Sequence, residues 1–401
     1  MKGAVLVLLL LTFFLSWEIG ASSLAPICSP AVGANAISLM RSSFLLGLFA
    51  VVGGILQGSR ISQTVGYGLV SEPGLASFAS GIILFTSASI VFLGLVSGHP
   101  VPAAFSTTAA VLGAGIAAGG DPALRNNIVL AGYWLSVPVV ALLFAATWSV
   151  VLRHDQVPDV ISYSLLSTIV LAGIVNMPIS TRLVGVGFSG TLTTIGHGLV
   201  SRMIEIPRLQ YLLAASLLVV VVGVYLGWSM TQDTSYSTKR KYLLSLTALM
   251  AFSSGGSQIG LATGPVEVLI PDVVGLPYVI LLGVSLAGII AGAWLGSPKV
   301  IKDISQHYTV LNPERSIAAL SAGFGIVQLS VVLRLPISIH WTMFWSVIGS
   351  GSLGTALYGK HKKYDTDRRK IAATFTISVV LVPLSFVFGY IFIKIPAVVF
   401  A

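Results

Sequence analysis

Long hydrophobic runs separated by short polar breaks set the pattern of this chain. Leu212–Trp228 and Ile371–Ile393 hold no charged residue, and each is about long enough to cross a hydrocarbon core of roughly 30 Å. Similar segments lie near 4–39, 43–57, 75–97, 100–119, 127–152, 160–177, 243–270, 273–296, 315–333 and 336–357. In lipid every backbone polar group must pair internally, which leaves helices or a closed barrel. The runs lack the alternation of barrel strands. The expected fold is an all-α integral membrane protein of about 10–12 transmembrane segments, multi-pass in the cell membrane.

Two segments are interrupted in the same way. The first reads Trp17-Glu18-Ile19-Gly20-Ala21-Ser22-Ser23 and reaches Pro30; the second reads Phe252-Ser253-Ser254-Gly255-Gly256-Ser257-Gln258 and reaches Pro265. Gly20 matches Gly255, Ser22 matches Ser257 and Pro30 matches Pro265 at one offset of 235. Small polar residues matched in two halves mark a secondary transporter with its site at the repeat interface. Further blocks follow in order: Pro102-Ala103-Ala104-Phe105 against Ser338-Ile339-His340-Trp341, Gly113 against Gly349, and Gly58-Ser59-Arg60 against Gly296-Ser297-Pro298. The expected organisation is a first transmembrane repeat over 1–153, linking segments over 154–237 and a second repeat over 238–401. Both interrupted spans are expected to be discontinuous helices.

Composition agrees. The chain is 55% hydrophobic and 9% charged, with mean hydropathy +0.94, far from the roughly 25% charged residues of a soluble domain. The net charge of +9 lies in short loops, as the positive-inside rule describes, so no nucleic-acid partner is expected. Lys239-Arg240-Lys241 and the cluster Lys360, Lys362, Lys363, Arg368, Arg369, Lys370 are separated by four spans, which puts both on the cytoplasmic side, with Lys299 and Lys302. If the Gly/Ser/Thr-rich stretch 183–201 does not cross, the repeats are inverted; if it crosses, they are parallel. Lys2 and the run Ala4–Leu15 have the form of a signal peptide, yet the small-residue patch after them has an internal copy. One cysteine, Cys28, excludes an internal disulfide. The chain has no P-loop and no nucleophile paired with a base, so neither an enzyme, a resident metal nor a cofactor is expected.

A buried anion needs donors, and a helix that starts inside the membrane offers free N–H groups at a positive dipole end. The candidate binding residues are Gly20, Ala21, Ser22 and Ser23 in one half. In the other they are Gly255, Gly256, Ser257, Gln258, Thr263, Ser338 and His340. Ser29, Ser106, Thr107, Thr108 and Thr342 come next. Glu18 and Glu267 flank the interruptions and are candidates for carrying a coupled cation. Arg182 is a candidate counter-charge.

These blocks resemble the inorganic phosphate transporter family, which carries Gly-Ala-Asn-Asp-x-x-Asn in each half and later Pro-x-Ser-Thr-Thr-His followed by spaced glycines. The resemblance covers both halves except 155–235. It implies inverted repeats, discontinuous helices and secondary transport of a tetrahedral oxyanion with a proton or sodium, by alternating access. Phosphate is expected first and sulfate second, because some related sulfate permeases share Gly20-Ala21-Ser22. In the family the acidic pair holds sodium; here Ser22-Ser23 and Ser257-Gln258 stand at that pair, with Pro26 and Leu261 at the later Asn. Without those carboxylates, sodium is expected to be dispensable. A membrane homologue that kept the fold and lost transport is the alternative, and a homo-oligomer is possible.

Overall fold

The computed structural model describes residues 2–71, 77–97, 101–181, 188–202, 204, 207–232, 236–267, 269, 277–307, 311–353 and 368–399. Arg182, Lys360, Lys362 and Lys363 lie outside them. The helices are α1 (Lys2–Glu18), α2 (Ser29–Gly33), α3 (Leu39–Gln57), α4 (Ser59–Tyr67), α5 (Ser77–Val96), α6 (Ala103–Ala117), α7 (Leu124–Val151) and α8 (Asp159–Val175). After a hairpin come α9 (Leu192–Val200), α10 (Arg208–Gln232), α11 (Tyr236–Glu267), α12 (Tyr278–Leu295) and α13 (Ser297–His307). The chain ends with α14 (Pro313–Leu333), α15 (Ile339–Ile348) and α16 (Arg368–Val399).

Eight helices among the described residues are long and apolar enough to cross a membrane, and α6 and α8 are shorter apolar helices. The hairpin pairs β1 (Pro178–Thr181) with β2 (Phe188–Thr191) antiparallel, Ile179 opposite Gly190. Outside it the described residues hold one isolated β-bridge, between Val70 and Pro122. In the 183–201 stretch Phe188–Thr191 forms β2 and Leu192–Val200 forms α9, capped by Thr191 and Thr194. At nine residues α9 is about 14 Å long, too short to cross.

The first interruption is real. After Glu18 the chain makes a wide π-helical turn over Ile19–Ser23, then a 3₁₀ turn over Ala25–Ile27, then the short α2. Pro26 and Pro30 remove backbone donors and bar a continuous α-helix. The second interruption does not occur. α11 runs unbroken for 32 residues through Gly255, Gly256, Ser257 and Gln258, with Pro265 inside its last turn. Leu261 stands where the first half has Pro26, so the ladder continues.

The matched glycines serve close approach instead of a break. A Cβ on Gly255 would lie 1.9 Å from the Ala50 carbonyl oxygen, and one on Gly53 would lie 1.7 Å from the Phe252 carbonyl oxygen. Between α1 and α12 the same contacts recur: Gly20 against Ile289 oxygen at 2.3 Å and Gly292 against Trp17 oxygen at 1.9 Å. Trp17 matches Phe252 and Gly20 matches Gly255, each 235 apart; Ala50 matches Ile289 and Gly53 matches Gly292, each 239 apart. Each interrupted-motif helix therefore packs on a helix of the other half. The later helices repeat the exchange: Gly113 of α6 meets Phe386 oxygen of α16, and Gly349 after α15 meets Leu142 oxygen of α7. Backbone-to-backbone contact of this kind packs helices in lipid, where no hydrophobic drive exists between them.

Two glycines of α12 separate packing from propensity. Gly292→Ala should destabilise by about 1–3 kcal/mol through overpacking. Gly283, with nothing within 4 Å of its would-be Cβ, should tolerate Ala or gain up to about 1 kcal/mol. Thermal melts of the purified protein in detergent check this: the Gly292 variant should melt lower and the Gly283 variant at or above wild type.

Candidate functional site

The two halves meet through polar side chains at matched positions. Ser23 donates to Gln258 Oε1 at 3.1 Å, across 235 residues of sequence. Gln258 Nε2 donates onward to the Ile337 carbonyl at 2.7 Å, in the extended stretch before α15. The first-half turn, the middle of α11 and the start of α15 are thus tied at one place.

α6 and α15 start among buried residues, whereas Gly255 is mid-helix and Gly20 lies in a π-helical turn. α6 begins after the extended Pro102, which supplies no side-chain cap. α15 begins after the extended Ser338, whose hydroxyl accepts from Trp341 N–H. The prolines explain the starts: Pro102 and Pro336 hold the preceding chain extended. The starts face each other, with the rings of Phe105 and Trp341 6.0 Å apart and edge-on; Phe105 also meets Trp134 at 4.3 Å, the rings tilted by 40°. Phe105 and Trp341 are matched positions, 236 apart. Trp134 Nε1 donates to the Pro336 carbonyl at 2.8 Å and anchors the α15 start.

Around these starts buried polar atoms lack partners. The hydroxyls of Ser106, Thr107, Thr108, Ser254 and Ser257 have none, nor does either ring nitrogen of His340. All six residues are fully buried. An unsatisfied buried polar group costs about 1–3 kcal/mol, which makes these residues of α6, α11 and α15 the candidates for binding a polar guest. Helix starts add positive dipole ends, each about half a charge. No Lys or Arg belongs to this set.

The predicted residues divide accordingly. Ser22 spends its hydroxyl on the Glu18 carbonyl at 2.9 Å, and Ser29 on the Pro26 carbonyl. Gly20, Ala21, Gly255 and Gly256 are packing positions: a Cβ on Gly256 would meet Gln57 Cβ at 2.4 Å. Thr263 belongs elsewhere. Its hydroxyl lies 3.0 Å from Ser62, which in turn donates to Glu267, while Ser80 donates to the Pro265 carbonyl. Glu267 is thus part of a hydrogen-bonded group on α4 and α11. Glu18 is fully buried with neither carboxylate oxygen bonded. Thr342 bonds the Ser338 carbonyl, as an ordinary helical threonine does. Cys28 donates to the Ser42 carbonyl and is a packing residue.

Sequence reasoning missed several groups. Gln328, on α14, accepts from Ser253 of α11 at 2.9 Å. Gln57 donates to the Pro178 carbonyl and Ser59 meets Ser180, so the α3–α4 junction holds the hairpin. No group of three or more His, Cys, Asp or Glu that could hold a metal occurs among the described residues.

The profile of the phosphate transporter family matches residues 19–389. A provisionally named phosphate permease of Chlamydia trachomatis is 26% identical over 373 residues, covering 84% of this chain and 87% of that protein. The chloroplastic inorganic phosphate transporter 2-1 of Arabidopsis thaliana is 24% identical over 427 residues, covering 96% of this chain and 72% of its own. A solved structure titled as the sodium-dependent phosphate transporter superposes with a TM-score of 0.76 at 19% identity, covering 100% of both chains. With interlocked halves, two internal helix starts and this match over nearly its whole length, the chain belongs to the phosphate transporter family.

Proposed function

We propose that this protein is a secondary transporter that carries inorganic phosphate across the cell membrane by alternating access. The facing starts of α6 and α15, with their unpartnered buried hydroxyls and His340, carry the reading. The proposed site is made of Ser106, Thr107 and Thr108 from one half and of Ser254, Ser257 and His340 from the other. Ser23, Gln258 and Ser338 hold its frame. A phosphate there receives hydroxyl hydrogen bonds and the amide ends of two helices.

The donor set favours phosphate over sulfate. Near neutral pH phosphate keeps at least one O–H, which wants an acceptor, whereas sulfate has none to offer. Neutral imidazole provides both an acceptor and a donor nitrogen, so His340 suits the protonated anion. Specificity of this kind is strong because a mismatched ligand leaves buried groups unpaired.

We also infer that the halves, over 1–153 and 238–401, are inverted. α12 runs parallel to α1, since Phe13, Trp17 and Ala21 meet Gly288, Gly292 and Gly296 in that order. α3 runs antiparallel to α12, since Gly47 meets Trp294 and Gly54 meets Leu286, and parallel to α11, since Gly53 meets Phe252 and Gly58 meets Ile259, so α11 is antiparallel to α12 and hence to α1. The failure of α9 to span fits the same topology. Rocking one half against the other then opens the shared site to each side in turn.

Uptake of radiolabelled phosphate into proteoliposomes tests the reading. Ser257→Ala should weaken apparent affinity roughly ten- to hundredfold, the loss of one hydrogen bond to a charged group. Thr263→Ala should leave it near wild type. Equal affinity in wild type and the Ser257→Ala, Thr107→Ala double variant would remove these residues from the site. A second measurement concerns selectivity: excess sulfate should compete poorly with phosphate in wild type and better in His340→Ala. Strong sulfate competition in wild type would instead support a sulfate permease, and no uptake of either anion a homologue that lost transport.

A further inference from the structure

We propose that Glu18 is the proton-carrying group of this transporter, protonated as phosphate enters and deprotonated as it leaves. The inference rests on the phosphate reading and adds to it the coupled ion and the residue that carries it.

Glu18 lies inside the candidate span Gly3–Ile27, at the last position of α1 before the π-helical turn. It is fully buried, and neither carboxylate oxygen has a hydrogen-bond partner. Burial of this kind does not accommodate an ionised carboxylate, so release of the proton belongs to a conformation in which water reaches Glu18.

The surroundings favour the proton. α1 packs against α12, α5 and α11 and continues into the π-helical turn. Neither α5 nor α12 contains a charged residue; Tyr278 is the sole titratable side chain on the pair. α11 is uncharged from Leu243 to Val266. At its ends Lys239 pairs with Glu314, Arg240 donates to the Ala36 carbonyl and Tyr236 to the Ala34 carbonyl. Tyr242 accepts from Ser167, Glu267 accepts from Ser62, and Lys241 stands one turn from the helix start. The turn over Ile19–Ser23 has no titratable side chain, and Ser22 is engaged with the Glu18 backbone. Among the described residues no basic side chain is hydrogen-bonded to Glu18. A hard metal cation needs several oxygen ligands; a proton needs one.

Position adds to this. Three residues after Gly20 the same turn carries Ser23, which bonds Gln258 across the repeat interface. A change in the angle between the halves therefore acts on the backbone that holds Glu18. The proposed anion site has no Lys or Arg, so charge brought in with phosphate must be met by a co-transported cation. Protonation of Glu18 removes one negative charge as phosphate brings one in, next to the turn both halves share.

The test compares wild type, E18Q and E18D in proteoliposomes with radiolabelled phosphate, under imposed pH gradients and, separately, sodium gradients. An inward-directed proton gradient should drive accumulation in wild type. In E18Q that response should fall by at least about tenfold, because a neutral amide cannot cycle a proton, and E18D should restore a good part of it. On wild-type protein, dicyclohexylcarbodiimide, which reacts with protonated carboxyls in apolar settings, should leave an adduct on Glu18 that declines as pH rises. This readout holds even if E18Q fails to fold. An E18Q response equal to wild type, wild-type accumulation that follows sodium and ignores pH, or no adduct on Glu18 would overturn the assignment. Wild type that moves no phosphate under any gradient would instead sink the phosphate reading itself.

Discussion

A polar group inside a bilayer must find a partner within the protein, and the architecture of this chain follows from that constraint. Helices satisfy their own backbones. What remains is the set of side chains that the helices leave over, and most are answered locally: Thr12, Thr247, Ser346 and Ser378 each bond the carbonyl four residues back. Among the exceptions are residues on the helices that carry the crossing. Ser23 and Gln258 answer each other, while Ser106, Thr107, Thr108, Ser257 and His340 answer nothing.

The crossing is held in place by backbones in contact. Glycine at 20, 53, 255 and 292 lets α1 lie on α12 and α11 on α3, each at distances no other residue allows. Because each of these helices belongs to one half and its neighbour to the other, neither half has a complete core alone. That interlock brings the α6 and α15 starts face to face, with Phe105 and Trp341 between them. Phe105 and Trp341 are matched positions, and the open hydroxyls of α6 lie one to three residues beyond Phe105.

Much of this was legible beforehand. Uncharged runs gave the spans, and a constant offset gave the repeat, because duplicated packing needs the same small residues in the same order. The first break was legible from Pro26 and Pro30. The second was misread: Gly255 and Gly256 look like breakers in sequence, yet glycine in a helix interior costs only about 1 kcal/mol, and close packing on α3 outweighs it. Thr263 was likewise placed with the anion because of its nearness in sequence, whereas helical geometry turns it toward Ser62 and Glu267. The role of α6 and α15 was harder to see. It depends on which helix starts lie inside the protein, a property of tertiary packing that no single segment encodes.

The central claim is that the crossing of the halves holds the anion against His340. Solid-state NMR dephasing between the phosphorus of bound phosphate and ring nitrogens of labelled histidine tests it most directly, with His340→Gln as the assignment control. The account predicts strong dephasing in wild type that disappears in the variant. Bound phosphate with no dephasing from any histidine, or dephasing that survives the substitution, would contradict it.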